Sequence, residues 1–150
     1  MVVEFRKILA AVDFSKMAEQ VLAHADREAQ VHGASLTLVH VFNAQLMDLQ
    51  LPEELLPNSL EMMDRLRQLA QERLEEQRRQ STLAQTQGVL LEKPGRIGPI
   101  LCAYAEETKQ DLIIIGNQQQ GAIGRILLGS VANSVLQHAP CPVLVVGQKP

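Results

Sequence analysis

The chain contains the run Leu112-Ile113-Ile114-Ile115-Gly116, five residues without a polar side chain. A continuous apolar run of this length is typical of a strand that is covered on both faces of a sheet. Four further runs complete a set of five: Ile8 to Val12, Leu36 to Val41, Val89 to Leu91 and Val143 to Val146. Because most of these runs are continuous rather than alternating, they predict a parallel sheet with both faces buried.

Segments with apolar residues three and four positions apart separate the runs. They predict four helices: one from an N-cap at Ser15 to near Gly33, and three over residues 59–80, 97–109 and 130–138. Strands that alternate with helices predict right-handed crossovers and an α/β fold. We expect one domain over residues 1–150, since neither a repeat nor a linker interrupts the pattern.

Composition narrows the classes of function. The chain has 14 Lys and Arg against 17 Asp and Glu, a net charge of −3, which argues against a nucleic-acid binder and a polybasic membrane anchor. With neither a signal peptide nor an apolar stretch near the ~20 residues of a membrane span, a cytoplasmic protein is expected. Cys102 and Cys141 form no CxxC motif and are expected to be reduced, and the four histidines show no metal-binding spacing.

The stretch from Asn43 to Asn58 interrupts the regular pattern. It carries five Leu, one Met and two Pro. An apolar connection of this length usually covers something. The sequence favours contact with its own domain over contact with a partner.

Two features lie where parallel strands end, the edge at which open α/β sheets bind ligands. Asp13 follows the first strand, and its carboxylate suits either ribose hydroxyls or the N-cap of the next helix. Gly116 opens a long loop with four glycines that ends at Gly129-Ser130, before a predicted helix. Glycines at a helix N-terminus let phosphate oxygens approach backbone N–H groups. The structural alternative is a strand end at Gly116 and a simple helix cap at Ser130.

The chain resembles the universal stress protein family along essentially its whole length. The segment 5–15 resembles the family's first strand with its terminal Asp13, and Gly33-Ala34 with Leu36 to Val41 resembles the second. Residues 110–116 resemble the fourth strand, and 127–132 with 138–146 resemble the ending. The resemblance implies an open five-stranded, Rossmann-like sheet of the adenine nucleotide alpha hydrolase type, with strand order 3-2-1-4-5. It also implies a homodimer that pairs through the last strand, Val143 to Val146.

The resemblance further implies an adenine-nucleotide site for ATP, AMP or ADP, with Mg²⁺ as an optional companion ion. Asp13 would hold the ribose, Val41 and Ile115 would flank the base, and Gly116, Gly129, Ser130 and Val131 would surround the phosphates. The implied binding set is Ala11, Val12, Asp13, Val41, Ile115, Gly116, Asn117, Gln119, Gly121, Gly129, Ser130 and Val131.

The glycine motif of the ATP-binding members, Gly-x2-Gly-x9-Gly-Ser/Thr, is altered here. It becomes Gly116-x2-Gln119-x9-Gly129-Ser130, with Gly121 two residues beyond the expected position. The first hypothesis is a nucleotide-binding regulatory protein of the stress response that is not an efficient enzyme. The alternative is a stress protein that acts through an unidentified protein partner, because Gln119 closes the phosphate site.

Overall fold

The computed structural model describes residues 1–43, 59–117 and 127–147. Within these ranges nine elements follow one another: β1 (Lys7–Ala11), α1 (Met17–His32), β2 (Ser35–Phe42), α2 (Ser59–Gln80), β3 (Gln87–Glu92), α3 (Ile97–Glu107), β4 (Leu112–Asn117), α4 (Ser130–His138) and β5 (Val143–Gly147). The five predicted strands and four predicted helices are all present. Residues 44–58 of the apolar stretch lie outside the described residues.

All four strand pairs are parallel, in the order β3-β2-β1-β4-β5. The predicted fold class and strand order are therefore confirmed. Alternate residues of each strand face opposite sides of the sheet and supply two cores. Ile8, Ala10 and Leu38 pack against α1 and α2. Leu9 and Val39 belong to the core formed with α3 and α4 on the other face.

Helix α1 ends at Gly33 as predicted but begins two residues after Ser15. Gly33 has a left-handed φ of 62°, which favours glycine, and the backbone N–H of Ala34 donates to Ala29. At the start, Lys16 occupies the N-cap position and makes no side-chain cap. The hydroxyl of Ser15 instead accepts a hydrogen bond from the backbone N–H of Met17, at 3.2 Å. The N-cap prediction was therefore one residue early, because Ser15 belongs to the turn that leaves β1.

Two other sequence predictions concern the cysteines and membrane insertion. Cys102 is buried, Cys141 is half-buried, and neither forms a disulfide. Burial raises the pKa of both thiols, which makes them poor nucleophiles. No helix of the described ranges has both the length and the apolar character needed to cross a membrane.

The strand order creates a crevice at the carboxyl end of the sheet. From β1 the chain winds outward through β2 to β3, and then returns to the other side of β1 to form β4. Connections therefore leave β1 and β4 in opposite directions, and such a reversal opens a cleft between them. Asp13 lies just beyond β1, and Gly116 lies near the end of β4.

Candidate functional site

A cavity of about 300 Å³ lies at this crevice. Nine of the predicted site residues line it: Ala11, Val12, Asp13, Val41, Ile115, Gly116, Gly129, Ser130 and Val131. Eight residues that the sequence did not single out complete the described lining: Met17, Ala18, Val21, Val39, His40, Ile97, Leu101 and Ala132. Most of these side chains are apolar, which suits a flat, hydrophobic ligand group. Gln119 and Gly121 lie outside the described residues.

Strands β1 and β2 separate at the cavity wall. Their register ends at the pair Ala11 and Val39, and one more ladder bond follows, from the N–H of Val12 to the carbonyl of Val39 at 2.9 Å. In a parallel pair, alternate residues direct both backbone groups to the same neighbour. Val41, two residues beyond Val39, therefore directs its N–H and C=O toward β1, where the ladder has ended.

His40 occupies the position where the next ladder bond would form. Its Nδ1 lies 2.9 Å from the carbonyl oxygen of Val12. A carbonyl only accepts hydrogen bonds, so Nδ1 carries the hydrogen. Within the described residues, no backbone bond joins the N–H of Val41 to that carbonyl.

Aromatic and cationic side chains hold the His40 ring. The ring of Phe14 lies against it with centroids 4.2 Å apart, and the guanidinium of Arg73 lies 5.5 Å from the centroid of Phe14. Burial lowers the pKa of His40, while its bond to Val12 and the nearby charge of Asp13 act in the opposite direction. With its pKa below the usual 6.5, the imidazole is neutral at pH 7.

Asp13 lies at the exposed rim of the cavity, in the turn that leads into α1. Its Oδ1 accepts hydrogen bonds from the backbone N–H and the hydroxyl of Ser15, at 3.0 and 2.5 Å. Its carbonyl accepts a bond from Nε2 of Gln77 in α2, at 2.9 Å. These contacts, from Ser15 in the turn before α1 and from Gln77 in α2, hold Asp13 at the mouth of the crevice.

The N-terminus of α4 also lines the cavity. Gly129 is its N-cap residue, without a side-chain cap, and the first bond within the helix runs from Asn133 N–H to the Gly129 carbonyl. The N–H groups of Ser130, Val131 and Ala132 precede that bond, so they have no partner inside the helix. All three residues line the cavity. Together with the helix dipole, such N–H groups attract an anion.

Asn117 does not line the cavity, although the sequence predicted it as a contact. It is the last residue of β4 and is only 3% exposed. Its Oδ1 accepts from the N–H of Gly129 at 2.8 Å, and its Nδ2 donates to the carbonyl of Leu127 at 3.0 Å. Asn117 thus fixes the start of α4 relative to the end of β4.

In the described part of the chain, no three His, Cys, Asp or Glu side chains lie close enough together to hold a metal ion. The site consists of apolar walls, backbone hydrogen-bonding groups at two sides and a carboxylate at the rim. This arrangement can bind a flat polar ring and an anionic group at the same time.

A comparison with known proteins places this geometry in a family. The model of the universal stress protein family matches residues 4–147. The chain belongs to the universal stress protein family. A relative from Thermus aquaticus, called "Universal stress protein in QAH/OAS sulfhydrylase 3'region", is 36% identical over 144 residues, which are 95% of this chain and 98% of the relative.

Several solved structures share the fold. The hypothetical protein MJ0577 aligns with a TM-score of 0.76 at 27% identity and covers 99% of both chains. The universal stress protein of Archaeoglobus fulgidus in complex with dAMP aligns at 0.64, with 24% identity over 95% of this chain and 98% of its own. A universal stress protein in complex with cAMP aligns at 0.59, with 22% identity over 96% and 98%. At these low identities the two complexes show a shared fold.

The eight lining residues that sequence reasoning missed lie in four elements of this universal stress protein: α1, β2, α3 and α4. Three of them, Met17, Ala18 and Val21, are in the first turns of α1, where the apolar spacing predicted only a helix. His40 interrupts the apolar run of β2, and that polar interruption was the signal that could have drawn attention to it. The contact of His40 with Val12 joins residues 28 positions apart, so no local sequence pattern predicts it.

Proposed function

We propose that this universal stress protein binds an adenine nucleotide, ATP, AMP or ADP, in the crevice and acts as a regulatory protein of the stress response. One observation carries the proposal. The backbone groups of Val41 and the uncapped N-terminus of α4 face a single apolar cavity from two sides. The donor and acceptor of Val41 suit a base, and the N–H donors of α4 suit a phosphate.

The base would lie against the edge of β2. An adenine ring presents an acceptor, N1, beside a donor, the N6 amino group, whereas guanine presents a donor beside an acceptor. The N–H and C=O of Val41 match the adenine pattern, since each backbone residue offers one donor and one acceptor. Ile115 and Val41 line the walls on either side. The proposal therefore predicts a preference for adenine over guanine.

The sugar and phosphate would extend toward α4. Asp13 at the rim would accept a hydrogen bond from a ribose hydroxyl, and the N–H groups of Ser130 and Val131 would donate to the phosphate nearest the sugar. The related structures with dAMP and cAMP support a ligand of this class, because both of those ligands combine adenine with a single phosphate. For ATP, the further phosphates would reach Gly116, Gln119 and Gly121, and any Mg²⁺ would be held by phosphate oxygens and water.

The regulatory role is supported by the kind of groups that the cavity offers. In the described part of its lining, Asp13 is the only carboxylate and His40 the only histidine, and Nδ1 of that histidine is bound to the Val12 carbonyl. The groups proposed to surround the first phosphate are backbone N–H groups, which bind phosphate but do not accept a proton from attacking water. We therefore propose that the protein binds the nucleotide without hydrolysing it efficiently. We also propose that it acts as a homodimer that pairs through β5.

Titration calorimetry with purified, nucleotide-stripped protein tests the binding proposal. AMP and ATP are expected to bind saturably, and GTP is not. Replacing Asp13→Ala removes the rim carboxylate and is expected to weaken AMP binding about tenfold, the scale of one lost charged hydrogen bond. Gly129→Val places a side chain at the entrance to the proposed phosphate site. The backbone angles of Gly129, a φ of −62° and a ψ of 157°, are ones that valine adopts without strain.

A matched control removes an exposed carboxylate away from the cavity, in Glu107→Ala at the end of α3. This variant is expected to bind AMP like the unmodified protein. The absence of heat with every nucleotide, from a protein that circular dichroism shows to be folded, would contradict the proposal. That outcome would favour a role through a protein partner instead.

A further inference from the structure

The hydrogen bonds between β1 and β2 end one bond earlier than the residues at this point would allow. The ladder runs through Ala11 and Val39 to the bond between Val12 N–H and the Val39 carbonyl. The next bond of a parallel ladder would join the N–H of Val41 to the carbonyl of Val12. Residues on both strands are present to form it, and both are apolar. Neither a proline nor a glycine explains why the ladder stops there.

The acceptor of that missing bond is already in use. The Val12 carbonyl accepts the Nδ1 hydrogen of His40, at 2.9 Å, in place of the Val41 N–H. We propose that His40 is a positioning residue, which holds β1 and β2 apart at the crevice and thereby leaves the backbone of Val41 available to a ligand. This inference rests on the proposed binding of an adenine nucleotide, which needs that same backbone.

Neighbouring side chains keep the His40 ring in the orientation that this role requires. Phe14 lies against the ring with its centroid 4.2 Å away, and Arg73 in α2 lies over the Phe14 ring. Asp13 is the nearby charge that acts directly on the imidazole. The bond to Val12 uses Nδ1 whether or not Nε2 is protonated, so the positioning role does not depend on the charge of the ring.

Three substitutions at position 40 separate hydrogen bonding from packing. An asparagine carries its side-chain nitrogen the same number of bonds from Cα as Nδ1 of histidine, so His40→Asn keeps a donor for the Val12 carbonyl. His40→Gln carries its nitrogen one bond further, in the position of Nε2. His40→Leu offers no donor. His24 is exposed on α1, so His24→Asn serves as the matched control.

The first measurement needs no ligand. Amide hydrogen exchange followed by NMR reports whether the N–H of Val41 is hydrogen-bonded. In the unmodified protein, Val41 is expected to exchange much faster than Val39. In His40→Leu and His40→Gln, the released Val12 carbonyl accepts the Val41 N–H, and exchange of Val41 is expected to slow about tenfold or more. In His40→Asn and His24→Asn it stays fast.

The second measurement is the dissociation constant for AMP. His40→Leu and His40→Gln are expected to bind AMP about tenfold more weakly, because the ligand must first break the Val41 bond. His40→Asn is expected to stay within about threefold of the unmodified protein. Rescue by asparagine but not by glutamine is a result that simple loss of packing does not produce.

Three results would overturn the inference. The first is a Val41 amide that is as protected as Val39 in the unmodified protein. The second is fast exchange and full AMP affinity in His40→Leu. The third is equal loss of affinity in all three variants, which assigns His40 to packing. If the unmodified protein does not bind AMP, the proposed function fails, and the exchange measurement still decides what His40 does to the strands.

Discussion

Asn117 shows how one buried amide can connect two elements beside the candidate site. It holds the N–H of Gly129 and the carbonyl of Leu127 with a single side chain. Asn117→Ala leaves both backbone groups without these bonds and is expected to lower the free energy of unfolding by about 1–3 kcal/mol. It is also expected to weaken AMP binding, because the start of α4 loses its support. Chemical denaturation and AMP titration measure the two effects.

A charged replacement of Asn117 distinguishes its support of α4 from its electrostatic effect on a bound phosphate. Asn117→Asp keeps an oxygen for Gly129 but places negative charge beside the N-terminus of α4, where it competes with a phosphate. Affinity for AMP is therefore expected to fall more than affinity for adenosine. Asn133, exposed on α4, supplies the control variant Asn133→Ala. Equal losses for AMP and adenosine would show that no phosphate binds at this helix terminus.

At the scale of elements, Gly98 allows α3 to approach α4 closely. A Cβ at position 98 would overlap Oγ of Ser134 in α4 and lie 2.6 Å from its Cβ. A change from glycine to alanine within a helix ordinarily stabilises it by about 1 kcal/mol. Here the overlap reverses the sign, and Gly98→Ala is expected to destabilise the protein by about 1–3 kcal/mol. Thermal and denaturant unfolding measure this change.

Two further variants test the cause. Gly88→Ala is a control in which the new Cβ meets Cγ of Leu74 at 3.4 Å, an ordinary contact. Adding Ser134→Gly to Gly98→Ala removes both clashing atoms, so the double variant is expected to regain stability relative to the sum of the single changes. Additive losses would show that α3 and α4 are not limited by this contact.

The elements were largely predictable because their signals are local. Apolar runs, most of them continuous, identified the five strands, and three- and four-residue spacing identified the four helices. The start of α1 was less predictable, since Asp13 and Ser15 bond to each other in a turn before the helix begins. The roles of His40 and Asn117 were not predictable, because each depends on a backbone group from a different region of the chain. The effect of Gln119 stays a prediction, as that residue lies outside the described ranges.

At the scale of the whole molecule, β5 is an edge strand of five residues, and β4 is its only neighbour among the described strands. The N–H of Ile113 donates to the carbonyl of Pro142, so Pro142, Leu144 and Val146 direct their backbone groups toward β4. Val143 and Val145 consequently direct theirs outward. An apolar strand edge of this kind favours pairing with a second strand. The proposed homodimer would use the outward groups of β5.

The alternation of inward and outward backbone groups along β5 allows a selective test of that dimer. Val145→Pro removes an outward N–H and leaves the bonds to β4 in place, and proline is tolerated at such an edge position. Analytical ultracentrifugation is expected to show a dimer for the unmodified protein and a monomer for Val145→Pro, with circular dichroism unchanged. Val145→Ala shortens the side chain but keeps the N–H, so it is expected to remain dimeric. A dimeric Val145→Pro variant would place the interface elsewhere. Dissociation of Val145→Ala as well would assign pairing to the side chain rather than to the strand edge.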